Sequence, residues 1–328
     1  MGVVSQQSGF PRLLGDVGGT NARWAWQSAP GQPLSHISTL AAREHASIGE
    51  CIAAYLKQQS LARPRDVAFG IATAVTGDSV SMTNHPWSFS IDTLRRSLGA
   101  ARVRVLNDFE ALAHAVPALQ PADLHAVGSG SPMPGAALAV IGPGTGLGVS
   151  GLVSDGQGGW RVIAGEGGHV TLAACTPRES SMLAVLRERF GHVSAERALS
   201  GPGLVNLYEA VCVLDGETPD ALEPAQVLTR SQPGAEGHDT QCEEAVNTFA
   251  ALLGTVAGNL ALTLGARGGV FIGGGIVPRL GERFATLPFR ERFDDKGRFR
   301  SYLEAVPVWV ITARAPALLG AARALDSE

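Results

Sequence analysis

The stretch LLGDVGGTN, residues Leu13–Asn21, is the part of this sequence that best indicates its fold. It is followed by the apolar segment Arg23–Trp26, so a strand, a glycine turn and a second strand are predicted in succession. Glycines let the turn adopt backbone angles that other residues resist, which exposes consecutive N–H groups, and the Thr20 hydroxyl adds one more donor. Such a turn is suited to hold a phosphate group, although an ordinary β-hairpin also carries glycines.

A second segment of the same kind lies further along the chain. Ile141–Gly148 reads IGPGTGLG and is followed by the apolar stretch Val149–Val153, so strand, Gly-Thr turn and strand recur in the same order. One such hairpin alone would be weak support for phosphate binding, but two copies, one in each half of the chain, strengthen the prediction. We therefore predict two phosphate-binding hairpins.

Working outward from these hairpins, short apolar runs alternate with segments of helical period, which is the pattern of an α/β protein. Gly128–Gly135 and Ser231–Asp239 are rich in Gly, Pro or polar residues and are predicted as loops. A boundary in the region 118–135 would separate a smaller N-terminal unit from a larger second one. The predicted strands are Arg12–Val17, Arg23–Gln27, Val67–Ala72, Val103–Leu106, Ala137–Ile141, Trp160–Ala164, Gly269–Ile272 and Val308–Ile311. The predicted helices are Ile48–Gln59, Phe109–Val116, Ser180–Phe190, Leu204–Val213, Glu243–Leu264 and Pro316–Leu325.

The composition argues against nucleic acid as the main partner. The 328 residues include 26 Lys+Arg against 30 Asp+Glu, which gives a net charge of −4, and only 17% of the residues are charged. The length suggests about two domains, and 45% hydrophobic residues suffice for their cores. The 41 glycines do not follow the every-third-residue period of collagen, so we expect them to act locally in turns.

Several catalytic motifs are absent from the sequence. The only lysines are Lys57 and Lys296, and neither follows a glycine, so there is no Walker A loop. Neither hairpin has the G-x-G-x-x-G fingerprint of a dinucleotide-binding fold. The G-x-S-x-G nucleophile elbow and the H-E-x-x-H zinc helix are missing as well. Serine hydrolase and zinc protease chemistry are therefore excluded.

One segment is long enough to span a membrane. Ala245–Ala266 carries no charge over 22 positions. Because Asn and Thr interrupt it and its Gly and Ala residues are only weakly apolar, we predict a buried core helix. The four cysteines lie too far apart for a zinc knuckle or a small disulfide framework, and Met1–Phe10 has no basic stretch followed by an apolar run. We expect a soluble cytoplasmic protein with reduced thiols and no membrane partner.

Asn107 and Asp108 lie where the predicted strand Val103–Leu106 ends and a helix begins. In α/β folds ligands bind at the carboxyl ends of strands, so Asp108 could accept the proton of a substrate hydroxyl that attacks a phosphoryl group. Asn107 would then hold a neighbouring hydroxyl. An aspartate at this position can also simply cap the helix, and the residues alone leave both interpretations open.

Two further segments, GEGGH and GHVSAER, place polar groups next to glycines. Glu166, His169 and Glu196 could point into a cleft and bind several hydroxyls at once. Taken singly, His169 could be a hydrogen-bonded structural histidine, and Glu196 could support the first turn of a short helix opened by Ser194. Taken with the pair at positions 107 and 108, they form a set of donors and acceptors suited to a sugar.

Seven segments carry a family resemblance, in this order: LLGDVGGTNAR, TGDSVSMTNH, LNDFEA, GPGTGLGVS, GEGGHV, GHVSAERALSGPGLVNLY and GGVFIGGGIVPR. They resemble the bacterial glucokinase family, within the larger actin, hexokinase and Hsp70 fold group. The resemblance runs from about Leu13 to Leu319. Its longest block is far more specific than any glycine pattern.

The resemblance implies an α/β protein with a two-domain actin-like ATPase (ribonuclease H-like) fold and a central cleft between the domains. Residues 1–118 and 312–328 would form the small domain, because the final helix, Pro316–Leu325, returns to it in the family. Residues 119–311 would form the large domain. The implied activity is that of an ATP-dependent glucokinase, which transfers the γ-phosphoryl group of ATP to the 6-hydroxyl of glucose with Mg²⁺ present.

Carried over position by position, the resemblance also implies roles for single residues. Asp108 would be the general base for the sugar 6-hydroxyl, and Asp16 would lie near the magnesium ion, directly or through water. The sugar would be bound by Asn107, Asp108, Glu166, His169 and Glu196. The phosphates would be held by Asp16, Gly18, Gly19, Thr20 and Asn21 in the first hairpin and by Gly144, Thr145 and Gly146 in the second, and the adenosine would approach Gly273, Gly274 and Gly275.

Some features depart from related families. Ala74 stands in a loop where the family commonly has Pro, so the preference for glucose over another hexose or an amino sugar stays open. The cysteine-rich zinc segment of the related kinase and repressor family is missing, with only Cys175 near His169, so we expect no structural zinc. About eleven residues precede the first strand, too few for that family's DNA-binding helix pair.

A catalytically weak sugar-sensing regulator is an alternative, although a pure sensor would not need Asp108. The sequence is silent on oligomeric state, and a homodimer is one option.

Overall fold

The computed structural model describes residues 9–327, so residues 1–8 and 328, which the sequence assigns to the small domain, lie outside the described part. The chain divides into two compact units. The first unit takes the described residues up to Leu119, together with Gly159–Val162 and those from Ala313 onward. The second unit takes Gln120–Gly158 and Ile163–Thr312. Mixed sheets and helices build both units, so the predicted α/β class is confirmed.

The elements of the described chain are as follows. The strands are β1 (Arg12–Val17), β2 (Asn21–Gln27), β3 (Ser35–Ala41), β4 (Asp66–Ile71), β5 (Ser79–Ser81), β6 (Ser88–Ser90), β7 (Arg102–Asn107), β8 (Leu124–Ala126), β9 (Leu138–Pro143), β10 (Leu147–Ser154), β11 (Trp160–Gly165), β12 (Gly269–Ile272) and β13 (Val308–Ile311). The helices are α1 (Ile48–Gln58), α2 (Ile91–Leu98), α3 (Asp108–Ala115), α4 (Pro177–Phe190), α5 (Gly201–Asp215), α6 (Pro224–Arg230), α7 (Thr240–Leu264), α8 (Val277–Leu280), α9 (Phe289–Asp294), α10 (Arg300–Glu304) and α11 (Pro316–Ala324).

A five-stranded sheet in the order β3-β2-β1-β4-β7 forms the centre of the first unit. β1 pairs antiparallel with β2 and parallel with β4, which in turn pairs parallel with β7. Successive side chains of a strand point to opposite faces. Leu13 therefore joins a core cluster with Ile52 of α1, whereas Leu14 joins another with Leu318 of α11. Because both faces of β1 are covered, its apolar run has no exposed side.

A six-stranded sheet in the order β11-β10-β9-β12-β13-β8 belongs to the second unit, except for residues 160–162 of β11, which are grouped with the first. β9 pairs antiparallel with β10 and parallel with β12, and β12 pairs parallel with β13. The centre of this sheet thus repeats the plan of the first one, with a strand, its antiparallel hairpin partner and two parallel strands on the other side. The repeat seen in the sequence at the two glycine turns reflects this shared plan.

Helix α7 is the long uncharged segment of the sequence. It passes the length and hydropathy test for a membrane span, but 72% of its most apolar 18-residue window is buried inside the protein. Its glycines pack against α9 at backbone distance, since a Cβ on Gly258 would lie 2.7 Å from the carbonyl oxygen of Phe293 and one on Gly254 would collide with that of Phe289. The predicted core helix is confirmed.

Three predicted helices begin three residues earlier than expected, and all three differences come from capping. The Asp239 side chain accepts a hydrogen bond from Cys242 N, so α7 starts at Thr240. The Thr176 side chain accepts a hydrogen bond from Glu179 N, and Pro177 occupies the first helical position, so α4 starts at Pro177. The Ser200 side chain accepts from Gly203 N, so α5 starts at Gly201. The predictions missed several short or solvent-exposed elements altogether: β3, β5, β6, β8, α2, α6, α8, α9 and α10.

His114 is a buried histidine on α3, with only 7% of its surface exposed. Its Nε2 atom has no hydrogen-bond partner among the described residues. Burial, with Arg104 and Arg323 nearby, lowers the pKa of His114 to about 4 from an ordinary 6.5. At a pH between these two pKa values, His114 is protonated in the unfolded chain but neutral in the folded chain. The folded state therefore loses stability as pH falls through that window.

We expect this histidine alone to make the first unit about 2 kcal/mol less stable at pH 5 than at pH 7.5. In His114→Leu the difference in unfolding free energy between the two pH values should shrink by that amount, as measured by urea titration. His36→Asn, which removes an exposed histidine of the same unit, is the matched control and should leave the difference unchanged. Identical pH dependence in His114→Leu and the wild type would contradict the prediction.

Candidate active site

The first glycine hairpin joins β1 to β2. Gly18 N donates to Asn21 O at 2.9 Å, which closes the turn, while Thr20 and Asn21 are exposed. A Cβ on Gly19 would lie 2.9 Å from Asn84 O, so only glycine fits where this turn meets the loop after β5. The predicted strand, turn and strand are present. The residues predicted to bind phosphate, Gly18 to Asn21, lie together in one short segment that is exposed at its second half.

Asp16 lies just before this turn, near the end of β1, and Arg23 of β2 is its cross-strand neighbour. Arg23 Nη1 is 4.0 Å from Asp16 Oδ2. Burial raises the pKa of Asp16, and the charge of Arg23 opposes that rise. Because its side chain keeps 34% exposure, the carboxylate remains open to a ligand from solution.

Asn107 and Asp108 stand where β7 ends and α3 begins. The helix cap is Asn107, whose Oδ1 accepts from Phe109 N at 2.9 Å, so the interpretation of Asp108 as the cap residue is wrong. Asp108 is the first residue of the helix, and its Oδ1 also accepts from Phe109 N at 3.0 Å. Asn107 Nδ2 donates to Thr73 O at 3.2 Å, which connects the junction of β7 and α3 to the loop after β4.

The sheet order places both parts of the first unit's site at one edge. β1, β4 and β7 are neighbouring parallel strands, so Asp16, the first hairpin and the pair Asn107 and Asp108 all lie at the carboxyl ends of strands. Gly70 of β4 lets α3 pack closely on this edge, because a Cβ there would lie 3.0 Å from the Cβ of Ala111 and 3.4 Å from Asp108 Cα.

The second glycine hairpin joins β9 to β10. Gly144 N donates to Gly146 O at 2.8 Å and closes the turn. Gly201 N, at the start of α5, donates to Gly144 O at 2.8 Å. On the other side, Leu147 N donates to Glu196 Oε2 at 2.9 Å. Glu196 lies in the first turn of the short helix Ala195–Arg197 that follows Ser194, as the simpler interpretation expects, and its carboxylate also accepts the hydrogen bond from the hairpin.

Glu166 and His169 occupy the tight turn after β11. This turn packs on β10 through its glycines, since a Cβ on Gly167 would lie 2.8 Å from the Val149 side chain and one on Gly168 would collide with Leu147 O. Both polar side chains are exposed, and neither has a hydrogen-bond partner within the part of the chain that the structure describes. The alternative of a hydrogen-bonded structural histidine at position 169 finds no support.

The third glycine turn, Gly273–Gly275, follows β12. Gly273 N donates to Ile141 O at 2.8 Å, and Gly274 has a φ of +79° in the left-handed region that favours glycine. A Cβ on Gly274 would collide with Pro143 O. The turn therefore packs against the end of β9, from which the second hairpin starts.

The predicted residues thus form two groups, one in each unit. The second group contains the hairpin at Gly144–Gly146, the turn at Gly273–Gly275, and the three polar side chains at positions 166, 169 and 196. Sequence reasoning missed three groups that contact the site residues. The Thr73 carbonyl accepts from Asn107 Nδ2, the Asn84 carbonyl lies close to Gly19, and the Gly201 N–H donates to Gly144 O. Among the described residues no cluster of three or more His, Cys, Asp or Glu side chains could hold a metal ion.

The repeated sheet plan and its glycine hairpins define a class of protein, because solved structures of sugar kinases share this α/β architecture of the actin-like ATPase class. A glucokinase from an Antarctic psychrotroph superposes with a TM-score of 0.87 at 35% sequence identity, covering 97% of this chain and 99% of that one. A ROK family glucokinase from Streptomyces griseus, solved in complex with glucose and AMPPNP, has a TM-score of 0.62 at 19% identity, covering 95% of this chain and 98% of that one. The second likeness concerns the fold alone.

The sequence itself identifies the family. The glucokinase family model matches residues 13–328. A glucokinase of Aromatoleum aromaticum is 54% identical over 319 residues, which cover 97% of this chain and 95% of that protein. The chain belongs to the glucokinase family, and the resemblance inferred from the sequence motifs is confirmed.

Proposed function

We propose that this protein is an ATP-dependent glucokinase that transfers the γ-phosphoryl group of ATP to the 6-hydroxyl of glucose, giving glucose 6-phosphate and ADP. The observation that carries the proposal is the pairing, within one unit, of the Asp108 carboxylate with a glycine hairpin at the same edge of the sheet. Family membership supports the same assignment.

Asp108 is proposed as the general base. A carboxylate can accept the proton of the 6-hydroxyl as that oxygen attacks phosphorus, and the rest of phosphoryl transfer depends on positioning and on neutralising charge. Asn107, Glu166, His169 and Glu196 are proposed to bind the other hydroxyls. The exposure of Glu166 and His169 supports this role, because their polar atoms are available for a ligand.

The phosphates of ATP are proposed to bind the two hairpins, at Asp16, Gly18, Gly19, Thr20 and Asn21 and at Gly144, Thr145 and Gly146. Closed glycine turns present backbone N–H donors, which suit phosphate oxygens. Asp16 would hold Mg²⁺, since an oxygen ligand at a partly exposed site suits this cation, and the bound ion would neutralise charge on the phosphates. Because Gly273, Gly274 and Gly275 carry no side chains, their backbone would leave room for the adenosine.

The finer features of the fold are part of the same proposal. A sheet with a central strand, an antiparallel hairpin partner and two parallel strands supports a ribonuclease H-like fold for each unit. Domain boundaries near residues 118 and 312 and a cytoplasmic location are proposed with it. The expected cleft and the homodimer stay predictions.

The test is ADP release by the purified full-length protein with Mg-ATP and, in turn, glucose, mannose, fructose, glucosamine, N-acetylglucosamine or no sugar. We expect turnover that depends on glucose and exceeds turnover with each other sugar. Higher turnover with another sugar would identify a different hexose kinase. Absence of turnover with every sugar, while calorimetry still detects glucose binding, would support the sugar-sensing regulator instead.

A further inference from the structure

Glu196 is bound to the turn that is proposed to hold phosphate. Its Oε2 accepts a hydrogen bond from Leu147 N at 2.9 Å, and Leu147 directly follows the Gly144–Gly146 turn. The two residues are 49 positions apart in the chain, so this contact joins separate segments of the second unit. A carboxylate bonded to a backbone N–H forms a charge-assisted hydrogen bond, which is stronger than one between neutral groups.

The other side of the same turn is fixed as well. Gly201 N donates to Gly144 O at 2.8 Å, and the Ser200 hydroxyl, which caps the same helix, donates to Glu196 O at 2.8 Å. The segment from Glu196 to Gly201 therefore holds both flanks of the hairpin. Gly146 is in tight contact with this carboxylate, because a Cβ on Gly146 would lie 3.3 Å from Glu196 Cδ.

The charges make this arrangement sensitive to a ligand. A carboxylate beside a phosphate-binding turn repels the phosphates, since like charges within a few ångströms disfavour each other. A sugar hydroxyl that donates to the carboxylate draws part of its negative charge away from the turn. The oxygen that is not bonded to Leu147 N is the acceptor such a hydroxyl would use.

We propose that Glu196 is a positioning residue that couples sugar binding to ATP binding, because one carboxylate contacts the sugar and also fixes the backbone of the phosphate-binding turn. This inference rests on the proposed glucokinase function and deepens it. Coupling of this kind is reciprocal: glucose tightens ATP binding by the same factor by which ATP tightens glucose binding.

The experiment is calorimetry on the full chain with Mg²⁺ and the ATP analogue AMPPNP, with and without saturating glucose. For the wild type we expect glucose to lower the Kd of AMPPNP by about fivefold or more. In Glu196→Ala the factor should fall to about 1, since no side chain links sugar and turn. Glu196→Gln should give an intermediate factor, because an amide oxygen can still accept from Leu147 N but the charge that repels the phosphates is gone.

Two further variants separate coupling from sugar contact. Glu166→Ala removes another proposed sugar ligand whose side chain has no hydrogen bond to the turn among the described residues, so glucose binds more weakly but the coupling factor persists. Gly146→Ala adds a methyl group against the Glu196 carboxylate and should abolish coupling as Glu196→Ala does. Thermal melts show whether each variant folds.

The outcomes distinguish this inference from the proposed function. Wild-type protein that binds glucose and AMPPNP independently, or Glu196→Ala that keeps the wild-type coupling factor, overturns the coupling role and leaves the kinase assignment standing. Wild-type protein that binds neither glucose nor AMPPNP overturns both.

Discussion

Replacing Asp108 with Asn is expected to lower kcat about 10²- to 10⁴-fold, the usual contribution of a general base. An amide has almost the shape of a carboxylate but cannot accept the proton of the 6-hydroxyl. The local structure should survive, because the Asn oxygen can still accept the hydrogen bond that Phe109 N donates to Asp108 Oδ1 at 3.0 Å. Asn107 caps α3 in either case.

The measurement is ADP release at saturating Mg-ATP and glucose, with glucose affinity determined separately by calorimetry. The Kd of glucose should rise at most about tenfold, since one hydrogen bond contributes about 0.5–1.5 kcal/mol. The loss should therefore fall on kcat much more than on binding. An equal loss in both quantities would indicate a sugar-binding role without base catalysis.

Glu110→Gln is the matched control for this experiment. Glu110 is a carboxylate in the first turn of the same helix, where it lies 3.7 Å from Arg104. Burial raises the pKa of Glu110, while the charge of Arg104 opposes that rise. The pKa of Glu110 therefore differs from that of an exposed glutamate. Because we assign it no role in the reaction, kcat should stay within about twofold of the wild type. A large fall in kcat in Glu110→Gln would mean that any loss of charge in this turn disturbs the site.

Strands with apolar runs and helices with a clear period could be predicted from the sequence, and exposed elements could not. β1 and β12 begin and end at the predicted residues, because their side chains are buried on both faces. Helix α2, IDTLRRSL, has Ile91, Leu94 and Leu98 at helical spacing against the core, but it is only eight residues long and only Leu94 is buried, so its pattern is too short to predict a helix. Its ends are set by the Ser90 cap and by Gly99 in the left-handed conformation.

In the candidate site, features formed by consecutive residues could be predicted, and contacts between distant segments could not. Asn107 and Asp108 could be placed at a strand end, because strand, polar pair and helix are consecutive in the chain. The role of Glu196 at the second hairpin could not be predicted, since it depends on a contact with Leu147 that the sequence places 49 positions away. Two hydrogen-bonding groups that meet only in the folded chain leave no periodic signal.

A buried ion pair holds three helices of the second unit together. Arg292 of α9 donates to Glu179 of α4 through Nη1 at 2.6 Å and Nη2 at 3.3 Å, and Nη2 also donates to Thr255 Oγ1 of α7 at 3.0 Å. Cys175 N donates to Glu179 Oε2 at 2.6 Å. Glu179 is 5% exposed, so neither charge has access to much water.

The environment of Glu179 favours its charged form. Burial raises the pKa, but the hydrogen bonds and charge of Arg292 and the Cys175 N–H outweigh burial, and the net pKa is lowered from its ordinary 4.5. A carboxylate with a lowered pKa stabilises the folded state above pH 4.5 and loses that contribution as pH falls below it. At neutral pH the pair is fully formed.

Glu179→Met is therefore expected to lower the free energy of unfolding by about 3–5 kcal/mol, because it leaves the Arg292 charge buried without its partner. The measurement is urea unfolding of the full chain at neutral pH, followed by a probe of the second unit. Glu244→Met, which breaks the more exposed pair between Arg178 and Glu244, is the matched control and should cost about 0–1 kcal/mol.

The double variant Glu179→Met/Arg292→Met decides whether the loss comes from the unpaired charge. Two apolar side chains of similar length avoid the desolvation of both ions, so most of the stability lost in Glu179→Met should return. If the double variant were as unstable as the single one, the packing of α4, α7 and α9 around the pair would be responsible rather than its charge. Recovery to within about 1 kcal/mol of the wild type would show that the cost of breaking this pair is the cost of burying Arg292 alone.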